Sequence, residues 1–120
     1  MTLLAGDSNE YPIERLLAGA WRNRLTAFLR VSQAGVQADD LVQFYIQEGT
    51  IVRASFSQAV SQLEPVCMWA VQLNAFAFEL TQESPTPLAH TMDGQVHPIE
   101  LLINAMRQDR LGDRISKLHG

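Results

Sequence analysis

The apolar residues of this chain switch between two spacings over short distances, and that switching restricts the fold more than any single residue does. Ile13, Leu16, Leu17, Ala20 and Trp21 recur at three and four residues, the stripe of an amphipathic helix over residues 11–24. Pro12 suits its first turn, where a missing N–H is no loss. Leu25, Ala27, Leu29 and Val31 then alternate with Thr26, Phe28, Arg30 and Ser32, which predicts a strand with one buried face. Polar residues 33–40, with Gly35, form the turn that follows.

Residues 41–47 and 51–56 flank the hairpin signal Glu48-Gly49, and side-chain parity selects the loop. Directly paired residues share a face. A two-residue loop at Glu48-Gly49 sets Phe44 against Arg53 and Val42 against Ser55, mixing apolar and polar on both faces. A three-residue loop, Gln47-Glu48-Gly49 with Gly49 left-handed in a bulge, pairs Phe44 with Val52 and Val42 with Ala54 and is the expected form. Downstream, Pro65 opens a helix with the stripe Val66, Trp69, Ala70 and Leu73, stopping near Asn74. Phe76, Phe78 and Leu80 alternate with Ala75, Ala77 and Glu79 in a further strand. Residues 82–96 hold Pro85, Pro87 and Gly94 without periodicity and read as one long loop. Pro98 starts the last helix, striped by Ile99, Leu102, Ile103 and Met106, with Gly112 as its stop.

The expected fold is α+β and two-layered, an antiparallel sheet of about four strands (a meander plus one strand) with three helices, in the order α-β-β-β-α-β-α. Residues 1–10 are expected to be a flexible N-terminus, 11–111 a single domain and 112–120 a polar C-terminal tail.

Charge and cysteine content narrow the function classes. With 9 Lys+Arg against 13 Asp+Glu the net charge is −4, which disfavours binding to nucleic-acid phosphates or anionic lipid. The one cysteine, Cys67, excludes an internal disulfide and points to a reducing cytoplasm. The first residues contain no basic segment and no long apolar run, so neither a signal peptide nor a membrane span is expected there.

Catalytic templates find no match. Cys67 lies between Val66 and Met68 on a core helix, the setting of a small buried hydrophobe. His90, Asp93 and His97 follow no zinc-ligand spacing, and Gly35, Gly49 and Gly94 are isolated rather than gathered in a phosphate-cradling loop. The residues therefore predict no enzyme, no catalytic group, no metal and no cofactor.

The run Val42-Gln43-Phe44-Tyr45-Ile46-Gln47-Glu48-Gly49-Thr50-Ile51-Val52-Arg53-Ala54, followed by Met68-Trp69 and Ala75-Phe76-Ala77-Phe78-Glu79, resembles the PATAN domain of bacteria. The resemblance spans residues 11–110 and is carried by Phe44, Gly49, Val52, Ala54, Trp69, Phe76 and Phe78 as structural motif positions. The chain departs from the family at Leu25-Thr26-Ala27, where members carry Thr-Gly, and at Leu63-Glu64-Pro65-Val66, where they carry Gly-Glu-x-Ala. The resemblance implies a bacterial signalling module that works by protein contacts alongside the phospho-receiver domains of two-component systems, here met in trans.

The face expected to carry Phe28, Arg30, Gln43, Tyr45, Ile51 and Arg53 mixes the aromatic and Arg residues enriched at interface centres, and is the candidate partner-binding surface. A homodimer would cover it equally well, and so would the chain's own long loop. An exposed helix flank is the other candidate surface. Two further readings stand beside the adaptor: a small-molecule or nucleotide sensor with its ligand under the 82–96 loop, and an RNA-binding regulator using Arg30, Arg53, Phe28 and Tyr45.

Overall fold

The computed structural model describes residues 2–33, 41–57, 62–73 and 75–107. Its elements are β1 (Thr2–Asp7), α1 (Ile13–Arg22), β2 (Ala27–Gln33), β3 (Leu41–Gln47), β4 (Thr50–Phe56), α2 (Leu63–Val71), β5 (Phe76–Thr81), β6 (His90–Val96) and a last helix, α3, over residues 98–107. The fold is α+β as expected, but the sheet has six strands, in the order β1-β5-β2-β3-β4-β6, every neighbouring pair antiparallel. Residues 34–40 and Asn74, and the segment 108–120 with Gly112, lie outside the described residues.

Both unforeseen strands are the edges of the sheet. Residues 2–7, expected to be flexible, pair with β5, and residues 90–96, expected to be loop, pair with β4. An edge strand has one ladder neighbour and gives the core little, so its sequence need not alternate cleanly. On β6 only Met92 is buried, and the strand is held by backbone pairing such as Ala54 with Met92 and Phe56 with His90.

The β3–β4 hairpin corrects the expected three-residue loop. Gln47 pairs with Thr50, leaving Glu48-Gly49 as a two-residue turn with φ of 51° and 83°, the doubly positive geometry that matches strand twist. The register slips by one residue between Tyr45 and Ile46, so Ile46 faces Ile51 whereas Tyr45 faces Arg53. Val52 is the extra residue of this bulge. The apolar pairs become Phe44 with Ala54 and Val42 with Phe56. Val52, expected opposite Phe44, is only half-buried, and Ile51 takes the core position at 1% exposure.

All three helices join one core on one side of the sheet. Ile13 and Leu17 of α1, Val66, Cys67 and Ala70 of α2 and Leu101 of α3 share a single buried cluster with Leu29, Val42, Phe44, Ile51, Phe56, Phe76 and Phe78. Trp69 is half-buried and lies beside Phe56, with ring centroids 5.0 Å apart. α2 begins two residues before Pro65, still within the first turn, where a missing N–H breaks no helical bond.

α1 docks against the hairpin turn at Gly49, whose N–H donates to the Leu25 carbonyl at 2.9 Å. A Cβ at Gly49 would lie 2.9 Å from the Trp21 Cα, whereas one at Gly19 in α1 would meet nothing within 4 Å. Gly49→Ala therefore lowers stability by about 1–3 kcal/mol through positive φ and backbone collision. Gly19→Ala raises it by about 0.5–1 kcal/mol. Urea unfolding of the two variants checks both signs.

Candidate functional site

Two surfaces of the molecule collect the residues that could meet a partner. The first is the sheet face away from the helices. Across five strands, Thr81, Phe28, Tyr45, Arg53 and Asp93 form one row in register, and Glu79, Arg30, Gln43, Ser55 and Thr91 form the next. Five of the six expected surface residues, Phe28, Arg30, Gln43, Tyr45 and Arg53, thus come together. Ile51 does not: the bulge at Val52 turns it to the opposite side, into the core.

The Phe28 and Tyr45 rings lie 4.8 Å apart at 30°. Arg53 Nε donates to Asp93 Oδ1 at 2.6 Å, and the hydrogen bond, then the carboxylate's charge, raise the Arg53 pKa further above its already high value. Both side chains are exposed, at 59% and 70%, so the pair adds little stability. A strap of residues 82–89 runs from β5 to β6 over this face, and the Leu88 N–H donates to Ser55 Oγ. Gln43 and Ser55, at the centre of the face, are only 7% and 6% exposed. Under the strap, a cleft of about 100 Å³ remains among Phe28, Tyr45, Arg53, Pro85 and Pro87. That is below the roughly 300–1,000 Å³ that small-molecule sites occupy.

The second surface is formed by α1 and α3. Periodicity alone predicts that Ile99, Leu102, Ile103 and Met106 face the core. The structure instead buries Pro98, Leu101 and Ala105, the adjacent face of the same helix. Ile99 and Leu102 are half-buried, and Ile103 and Met106 are 44% and 53% exposed. On α1, Trp21 is 40% exposed, its ring centroid 4.1 Å from that of His97 at the foot of α3. Ile99 also lines an open groove of about 730 Å³ floored by Leu4, Leu16, Leu25 and Leu80. Among the described residues, the charged ones lining it are Arg15 and Arg22. Arg15 is steadied over the Tyr11 ring, 5.3 Å from its centroid. The last helix's outward stripe is what sequence reasoning missed: the apolar period was visible, but its direction depends on which face Pro98 and Leu101 press inward.

Among the described residues no three His, Cys, Asp or Glu side chains gather as a metal site, and no helix is long and apolar enough to cross a membrane. Cys67 is fully buried, and desolvation, then the nearby Glu64 charge, push its thiol up to about 12, leaving it protonated and a poor nucleophile at neutral pH. Native protein at pH 8 is expected to resist thiol reagents and to label fully in guanidinium. Because the thiol's pKa is raised on folding, its contribution to stability is complete below the unfolded value near 9 and is lost as pH climbs toward 12. Denaturation midpoints measured from pH 8 to 11 should fall accordingly, and the fall should shrink in Cys67→Ala. No family model, no curated protein and no solved structure matches this chain.

Proposed function

We propose that the protein is a non-enzymatic bacterial signalling adaptor that docks another protein against its α1–α3 face. The observation that carries this reading is the outward apolar stripe of α3, continuous through Ile99 with the groove beside Trp21. Exposing Ile103 and Met106 forgoes burial worth about 1.5–3 kcal/mol for each full side chain, and contiguous apolar patches of this kind mark interfaces. Trp21 and Arg22 are residue types that dominate binding energy at such surfaces. The PATAN resemblance suggests a receiver domain of a two-component system, supplied in trans.

The rim of the groove favours a different protein over a second copy of this one. Two copies of the groove closing on each other would bring two arginine-rimmed surfaces together, whereas an apolar helix edged with carboxylates would neutralise Arg15 and Arg22. The sensor reading draws less support, because the strap leaves the sheet cleft little room. The RNA reading is weakened by the net charge of −4 and by Arg53's tie to Asp93.

Titration of purified receiver domains from the source genome against wild type and Ile103→Glu/Met106→Glu tests the assignment. Saturable binding that weakens at least about tenfold in the variant, with an unchanged thermal midpoint, supports it. Equal binding by both proteins, or no binding to any receiver domain, would refute the docking face or the partner class respectively.

A further inference from the structure

The sheet's other face carries a second inference, independent of the α1–α3 surface. We propose that the sheet face at the Phe28–Tyr45 ring pair, covered in this structure by the chain's own strap of residues 84–88, is a docking site for an extended, proline-containing segment of a partner protein.

The strap itself identifies the ligand chemistry. Each proline fixes its own φ and restricts the residue before it to extended conformations, so Ser84-Pro85-Thr86-Pro87 is stiff and extended without internal hydrogen bonds. Such segments lose little entropy on binding and lie in aromatic-lined grooves. Here Pro85 and Pro87 line one cleft with the Phe28 and Tyr45 rings, while Ser55 accepts the Leu88 N–H. The face beneath the strap thus sets two rings across a narrow cleft from the prolines and offers a hydroxyl to the peptide backbone.

The geometry also allows the strap to leave. β5 and β6 are separated in the sheet by β2, β3 and β4, four strand spacings or about 19 Å. The segment 82–89 could span about 27 Å when fully extended. It can therefore lift while both flanking strands stay paired. Ser84, Thr86 and Pro87 are exposed, so the strap is held mainly along its inner side. A tethered competitor of this kind lowers the apparent affinity for a free peptide by the fraction of time it covers the ring face, and removing its prolines returns that affinity.

The test uses the full chain, isotopically labelled, and a synthetic peptide of the strap's own sequence, residues 82–89. Amide shifts are followed in wild type and in Pro85→Ala/Pro87→Ala, a change confined to the strap. Saturable shifts at Phe28, Tyr45, Arg53 and Ser55, with affinity about five- to tenfold higher in the double variant, are expected. A control peptide with both prolines replaced by alanine should bind weakly or not at all. Absence of saturable shifts in either protein up to millimolar peptide, or equal affinity in both, would overturn the proposal. Neither result would touch the α1–α3 face, whose residues Ile103 and Met106 are not probed.

Discussion

The two sides of this sheet are kept distinct by one extra residue. Side chains alternate along a strand, so any slip of one position exchanges core and surface. The tight Glu48-Gly49 turn sets Gln47 against Thr50, and continued regularly that register would place Phe44 opposite Arg53. Val52 absorbs the mismatch: Ile51 enters the core before it, Arg53 reaches the surface after it, and Ala54 and Phe56 return to the core side. Reversing those positions would expose an isoleucine worth about 1.5–3 kcal/mol of burial and push an arginine toward the interior without a partner. Gly49 ties the same turn to the end of α1, so the bulge, the turn and the first helix form one mechanical unit.

What could be read from the sequence follows from how each element is stabilised. β2 and β5 alternate cleanly because they lie inside the sheet, with helices over one side. β1 and β6 were illegible because an edge strand rests on backbone hydrogen bonds to one neighbour, which leave no side-chain signature. The hairpin shows a different limit. Parity arguments correctly required Phe44 and Val42 to meet small or apolar partners, but a bulge and a longer loop both satisfy parity, and the positive φ of Glu48 as well as Gly49 selects the bulge. For the sheet face, sequence brought Phe28, Arg30, Gln43, Tyr45 and Arg53 together and misplaced only Ile51, through that same bulge.

The helical surface was misread for another reason. Periodicity reports that a helix has an apolar side and does not say where that side points. In α3 the inward positions are Pro98, Leu101 and Ala105, while Ile103 and Met106 face out. A helix that turns Ile103 and Met106 to the surface leaves large apolar side chains uncovered by its own core, unlike the strap-covered sheet face. The two surfaces differ in chemistry: the flank is an apolar groove with a basic rim, and the sheet face is an aromatic pair beneath a proline strap.

Docking of a signalling partner on the α1–α3 flank is the reading proposed above. Its most direct test is a methyl-labelled NMR titration with a receiver domain, reading the Ile103 and Met106 methyl groups against those of buried Ile46 and Ile51. Large, saturable shifts at Ile103 and Met106 with little change at Ile46 and Ile51 are expected. Silent Ile103 and Met106 methyl groups in the presence of a partner that binds would contradict it.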